Sequence, residues 1–147
     1  MAVSSKFYAQ FWASLANKEI DLDADEFKLA LFTSSLVVNQ DTHRYFDAAP
    51  YNANQVTNGN GYATGGAVVS PLSVTYDASS NRLSFDAADA TWTSSTFTCR
   101  YGVLYDSTPL ANKPLMLWVD FGTNQSPSNG TFQVIWDATG IGYVAVA

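Results

Sequence analysis

Few residues in this sequence could serve as the reactive groups of an enzyme or as ligands of a transition metal. The 147 residues include one cysteine, Cys99, and one histidine, His43. A single cysteine allows no disulfide within the chain and no zinc site built from cysteines. His43 lies in a polar segment next to an arginine, where a lone histidine is more often solvated than catalytic. We therefore expect no catalytic residues, no cofactor and no metal, and we expect that the protein is not an enzyme.

Charged residues are also scarce. They make up 14% of the chain, against roughly 25% of an ordinary soluble domain. There are 13 acidic and 7 basic residues, so the net charge is −6. An acidic protein repels a phosphate backbone, and nucleic acid is not an expected partner. No run approaches the roughly 20 apolar residues that span a bilayer, and the first residues lack the pattern of a secretory signal. We expect no membrane partner and assembly in a cytoplasm.

Hydrophobic residues, by contrast, make up 47% of the chain and aromatic residues 14%. They alternate with polar residues in short runs bounded by Gly, Pro, Asn and Ser, which is typical of β-strands. Seven or eight such strands predict a mainly β fold, an antiparallel β-sandwich or a jelly-roll-like domain with one N-terminal α-helix. The alternation places Cys99 and Trp136 in the core and allows Trp118 to be exposed. The clearest runs are residues 27–31, 72–76, 83–85, 97–105, 115–121, 132–136 and 141–145.

The helix is predicted over residues 4–17. Five apolar residues recur there at a spacing that places them on one stripe of a helix. We expect residues 1–20 to form a helical arm on a β-sandwich of residues 27–147, within a single domain of residues 1–147. The stripe either packs on the protein's own sheet or docks on a neighbouring subunit, and the sequence leaves both interpretations open. Its members are Phe7, Tyr8, Phe11, Trp12 and Leu15.

A long polar segment, residues 39–66, separates the first predicted strand from the others. A loop of this length within a compact domain often carries a contact function. Glycines crowd its end, but the lysine of a phosphate-binding loop is missing, so they are interpreted as turn residues. We predict that this loop and the helix together supply the protein-contact residues. The candidates are Phe7, Tyr8, Phe11, Trp12, His43, Arg44, Tyr45 and Tyr51.

Two further motifs resemble functional sites only in part. Asp21, Asp23 and Asp25 imitate the start of a calcium-binding loop, but the sixth position is Glu26 and the twelfth is Phe32. A solvated linker is the prediction, with a weak surface cation site as the alternative. Serine and aspartate are abundant, yet no Gly-x-Ser-x-Gly elbow marks a nucleophile, so we set a hydrolase aside.

Several motifs, taken in order, resemble those of small structural proteins of tailed bacteriophages. An aromatic N-terminal helix is followed by FKLALF at 27–32, GNGYATGG at 59–66, ATW at 90–92, RYGVLY at 100–105 and LWVDFG at 117–122. The resemblance covers most of the chain. It implies a virion constituent of the capsid decoration, head fibre or tail component type, with no enzyme activity and no cofactor.

On this basis we expect a capsid decoration (cement) protein that binds the major capsid protein or other virion proteins. The expected place is the virion, assembled in the cytoplasm of the host bacterium, and the expected state is a homo-oligomer, with a trimer favoured. A phage tail or tail-fibre subunit is one alternative. A carbohydrate-binding β-sandwich module is the other, because aromatic side chains often form sugar platforms. By residue type its candidates are Trp92, Trp118, Trp136 and Tyr105.

Overall fold

The computed structural model describes residues 4–146, and in that range the chain forms ten β-strands and one α-helix. The strands pair antiparallel in three sheets, ordered β1-β8-β7-β2-β3, β10-β5-β4 and β6-β9. The predicted mainly β fold with a single helix near the N-terminus is confirmed, and it is consistent with a β-sandwich. The elements are β1 Ser4–Phe7, α1 Ala9–Ala16, β2 Phe27–Phe32, β3 Ala67–Val68, β4 Ser73–Asp77, β5 Arg82–Asp86, β6 Ala90–Ser95, β7 Cys99–Asp106, β8 Leu115–Gln125, β9 Gly130–Val134 and β10 Gly142–Ala145.

The centre of the five-stranded sheet is buried on both of its faces. On β2, Leu29 and Leu31 lie on one face, while Ala30 and Phe32 lie on the other, and all four are fully buried. In the sequence, a strand that is buried on both faces is a continuous run of apolar residues, without the alternation that a strand with one exposed face shows. β2 is such a strand, and both of its faces belong to the core. The second face is covered by the loop between β2 and β3, where Phe46 packs against Phe32 with a ring-centroid distance of 6.0 Å.

The N-terminal segment differs from the predicted helix. Residues Ser4–Phe7 form β1, which pairs with β8 in the register Ser5↔Val119 and Phe7↔Leu117. The helix begins only at Ala9, after the backbone N–H of Tyr8 donates to the carbonyl of Met116 at 3.0 Å. The long strand β8 offers unpaired backbone groups at its edge, and the first residues satisfy them. Residues 1–3 of the expected arm lie outside the described residues.

The aromatic stripe consequently packs within the protein. Tyr8 and Phe11 are fully buried, Phe7 is half-buried, and Trp12 is 36% exposed. Of the two interpretations left open by the sequence, packing on the protein's own sheets is confirmed for Tyr8 and Phe11. Residues 4–16 therefore form a strand and a helix that pack within the fold.

Several aromatic residues occupy places other than those predicted. Trp118, which the sequence allowed to be exposed, is half-buried, and its indole Nε1 is buried. Trp136, which was predicted in the core, is half-buried and lies outside the strands, where its Nε1 donates to the carbonyl of Ala88. Trp92 and Tyr105 are core residues, so neither is available as a sugar platform. Cys99 is fully buried as predicted, and burial raises the pKa of its thiol to about 12. A buried thiol of this kind acts as a small apolar side chain.

Within residues 4–146 the structure has no helix long and apolar enough to cross a membrane.

Candidate functional site

The structure brings most of the predicted contact residues to one side of the molecule. Helix α1 lies beside residues 39–51 of the loop, and we call these two segments together the helix–loop face. The backbone N–H of Ala9 donates to the carbonyl of Gln40 at 3.0 Å, and the Gln10 amide donates to the carbonyl of Asp41 at 3.4 Å. These bonds connect the start of the helix to the start of the loop, so the two segments are positioned by the same backbone contacts.

A chain of three side chains runs from the core to the surface of this face. The hydroxyl oxygens of Tyr8 and Tyr51 lie 2.8 Å apart, and the Tyr51 hydroxyl lies 2.8 Å from Nδ1 of His43. The backbone N–H of Asn39 also donates to this Nδ1, at 3.2 Å. Because an N–H can only donate, Nδ1 is unprotonated and accepts. The Tyr51 hydroxyl therefore donates to His43, and the Tyr8 hydroxyl donates to Tyr51.

Burial sets the protonation of the three side chains. It raises the pKa of Tyr51 to about 12 and raises the pKa of Tyr8 above its ordinary range. It lowers the pKa of His43, because the charged imidazolium loses hydration. All three groups are therefore neutral near pH 7. The hydrogen bonds between these neutral groups stabilise the contact between helix and loop.

An ion pair joins the loop to the far end of the helix. Arg44 Nη2 donates to Glu19 Oε1 at 2.7 Å, and Arg44 Nε donates to the buried Ser14 hydroxyl at 3.3 Å. The Tyr45 hydroxyl donates to the other carboxylate oxygen of Glu19 at 3.3 Å. The Arg44 and Glu19 side chains are 28% and 32% exposed. A half-exposed pair of this kind contributes roughly 0.2–1 kcal/mol, so it orients the loop more than it stabilises the fold.

The outer part of the helix belongs to an aromatic cluster that reaches the small sheet. Phe85 on β5 lies against Phe7, Phe11 and Trp12, with ring-centroid distances of 5.7, 6.2 and 6.0 Å. Tilted and edge-to-face rings at such distances are favourable. Trp12 is the most exposed member of this cluster, with 36% of its surface accessible.

The eight predicted contact residues thus fall into two groups. Tyr8, Phe11 and Tyr51 are at most 1% exposed, so their place is in the core rather than on a contact surface. Their burial follows from long-range packing that a sequence pattern does not encode. The remaining five keep some accessible surface, and for these the contact role stays a prediction. They are Phe7, Trp12, His43, Arg44 and Tyr45.

A groove beside the helix–loop face was not predicted. It has a volume of about 430 Å³ and lies between the end of α1 with the following turn and the strand β4. We call it the β4 groove. A signal for it was present in the sequence, because Val74 and Tyr76 alternate with polar residues on a short strand. The sequence could not show that Tyr76 would be 53% exposed. The groove is lined by Leu15, Lys18, Ile20, Asp21, Leu22, Asp23 and Val74.

The Asp21–Asp25 segment forms a hydrogen-bonded turn rather than a metal-binding loop. Asp21 Oδ1 accepts the backbone N–H groups of Asp23 and Ala24, and Asp25 Oδ2 accepts the N–H of Asp21 at 2.7 Å. These bonds use one oxygen of Asp21 and one of Asp25, and they hold the segment in a turn. Over the described part of the chain, no three or more His, Cys, Asp or Glu side chains are grouped so that they could hold a metal ion.

Asp106, at the end of β7, is a buried carboxyl next to another carboxyl. Its Oδ1 accepts the backbone N–H of Thr108 at 2.9 Å, while its Oδ2 is buried with no hydrogen-bond partner in the described structure. Burial, together with the neighbouring Asp25 carboxyl, raises the pKa of Asp106 to about 7. A carboxyl in such a place is held partly protonated near neutral pH, because burial removes the hydration of its charged form and the neighbouring Asp25 carboxyl adds to the effect.

Comparison with family models, with curated proteins and with solved structures finds no match to this chain. The resemblance to bacteriophage structural proteins therefore remains a prediction based on short motifs. Over residues 4–146, the hydrogen bonds of His43 lead to Tyr51 and to the backbone of Asn39, and Cys99 is buried. Through Tyr51 and Tyr8, His43 joins the loop to the start of the helix.

Proposed function

We propose that this chain is a structural protein of a tailed-bacteriophage virion, a capsid decoration protein that binds the major capsid protein. The observation that carries the proposal is an apolar surface that continues from the helix to the small sheet. Trp12, Val74 and Tyr76 are 36%, 38% and 53% exposed, and the apolar side chains of the β4 groove lie between α1 and β4. Contiguous exposed apolar surface of this kind is typical of sites that bind another protein.

Low charge supports the same assignment. Because only 14% of the residues are charged, few charged side chains would have to lose their hydration when a partner binds. Interface cores are depleted of charged residues and enriched in Tyr, Trp and Phe. The assignment to a bacteriophage particle rests on the sequence motifs, and a tail or tail-fibre subunit remains the alternative within the particle. The homo-oligomer, with a trimer favoured, is part of the proposal, and light scattering of the purified protein would measure its mass.

Imaging of the particle tests the proposal. Particles of a phage that encodes this chain would be purified on a gradient, and their reconstruction compared with that of particles from a deletion mutant. We expect difference density at regular positions on the capsid shell. Difference density on the tail would support the alternative instead. Identical reconstructions, with the chain missing from the purified particles by mass spectrometry, would overturn the assignment to the virion.

A further inference from the structure

The strand β4 is an open edge of the small sheet. In the order β10-β5-β4 it lies at one end, and among the described residues it pairs only with β5. All five of its residues, Ser73–Asp77, are exposed. In an antiparallel pair, alternate residues of an edge strand direct their N–H and C=O groups away from the sheet. None of these five residues is a proline, which would remove a backbone donor, so the edge is free to pair with another strand.

One face of this edge continues into the apolar part of the β4 groove. Val74 is opposite Phe85 and Tyr76 is opposite Leu83 in the register of β4 with β5, so all four side chains share a face. Val74 also lines the groove, together with Leu15, Ile20 and Leu22. A strand added to β4 would place every second side chain on this face. Backbone pairing and apolar contact would then be made by one extended segment.

The charges at the groove identify the kind of segment that fits. Asp21 and Asp23 are acidic lining residues, and Lys18 is the single basic one of the seven. The ion pairs found in residues 4–146 involve other side chains, so these three remain available to a partner. The acidic excess favours a partner with a basic residue. It disfavours a second copy of this chain, because the copy would bring the same carboxylates and a net charge of −6.

We propose that the β4 groove binds an extended segment of a partner virion protein, which adds as a strand to β4. Its alternate apolar side chains contact Val74 and Leu22, and a lysine or arginine lies beside Asp21 and Asp23. Strand addition of this type takes its affinity from main-chain hydrogen bonds and its specificity from the alternate side chains. The inference rests on the proposed function, since it concerns the surface by which the chain joins the particle.

Two variants of the same strand provide a matched test. Val74→Lys places a charge on the groove face, whereas Thr75→Lys places the same charge on the opposite face, where Thr75 is opposite Ser84. Labelled proteins would be added to particles from the deletion mutant, and the apparent Kd measured by co-sedimentation. We expect at least a roughly tenfold loss for Val74→Lys and a change of within about twofold for Thr75→Lys. Circular dichroism and thermal melting would establish that both variants are folded.

The basic residue of the partner is tested separately with Asp23→Lys. Its carboxylate makes no hydrogen bond or ion pair that the described structure records, so the fold should tolerate the change. We expect weaker binding, and a smaller dependence of binding on salt than in the unmodified protein, because an attractive charge contact is lost.

The outcomes separate this inference from the proposed function. If the unmodified protein does not bind the particles, the proposed function fails, and the groove inference fails with it. If the unmodified protein binds and both Val74→Lys and Asp23→Lys bind equally well, only the groove inference is overturned. If Val74→Lys instead converts an oligomer into a monomer by light scattering, a second copy covers the groove, and the assignment to a basic partner segment is wrong.

Discussion

The hydrogen-bonded series Tyr8–Tyr51–His43 on the helix–loop face leads to a prediction about stability. Tyr51→Phe should cost more free energy of unfolding than Tyr8→Phe, and the two costs should not add. In Tyr51→Phe the middle hydroxyl is lost, and the fully buried Tyr8 hydroxyl keeps no partner among those that the described structure gives it. Leaving a buried hydroxyl unsatisfied costs about 1–3 kcal/mol. In Tyr8→Phe only the terminal donor is lost, and Tyr51 still donates to His43. That loss is one hydrogen bond, worth about 0.5–1.5 kcal/mol.

The double variant distinguishes the free-energy cost of an unsatisfied hydroxyl from the cost of the lost hydrogen bonds. With both hydroxyls removed, no buried donor is left unpaired in this chain of contacts, and the Asn39 N–H still donates to His43. We therefore expect that adding Tyr8→Phe to Tyr51→Phe costs nothing or restores stability. Urea unfolding followed by tryptophan fluorescence would give the free energy of unfolding for all four proteins. If the costs of the two single variants add to within about 0.5 kcal/mol, or if Tyr8→Phe costs more than Tyr51→Phe, the three side chains are not coupled in this way.

Two further predictions concern buried backbone and a buried carboxyl. Gly66 has a φ of +87°, and a Cβ there would overlap the backbone of β2, so Gly66→Ala should lower the free energy of unfolding by more than the ~1–2 kcal/mol that a left-handed backbone costs. Gly59→Ala is the control, because Gly59 has a φ of +109° and nothing within 4 Å; equal losses in urea unfolding would contradict the overlap. The pKa of Asp106, raised from 3.8 to about 7, means that the folded state holds a proton that the unfolded state releases. The contribution of Asp106 to the free energy of unfolding should therefore be largest below pH 4 and fall as pH rises towards 7, by at most about 1.4 kcal/mol per pH unit. Asp106→Asn should remove this slope in unfolding curves measured from pH 4 to 8, and an unchanged slope would show that another group causes it.

The alternating pattern predicted seven of the ten described strands, and it missed β1, β3 and β6. The runs at 72–76, 83–85 and 141–145 became β4, β5 and β10, which form the small half-exposed sheet. β6 was missed because its register shifts between Trp92 and Ser95, and Ser94 has a φ of +50°. A bulge of this kind breaks the period of two on which the prediction depends.

The N-terminal error has a different physical origin. Phe7 and Phe11 are four residues apart, which suits one stripe of a helix, but Phe7 ends a strand and Phe11 lies within the helix. Both side chains still meet Phe85. The spacing correctly indicated that the two residues share a surface, while the backbone of residues 4–7 was decided by the free edge of β8. Local periodicity carries no information about an edge that lies more than a hundred residues away along the chain.

The composition of the helix and loop identified a real cluster, but it could not separate side chains that hold the fold together from those that meet a partner. At the helix–loop face, His43, Arg44 and Tyr45 already have hydrogen-bond or ion-pair partners within the chain. A ligand there would have to replace contacts that are already made, and it would gain little free energy. At the β4 groove, backbone groups of an edge strand, apolar side chains and Asp23 have no such partners in the described structure. A partner segment gains most where the protein has left its own contacts incomplete, and this difference favours the groove over the residues that the sequence first indicated.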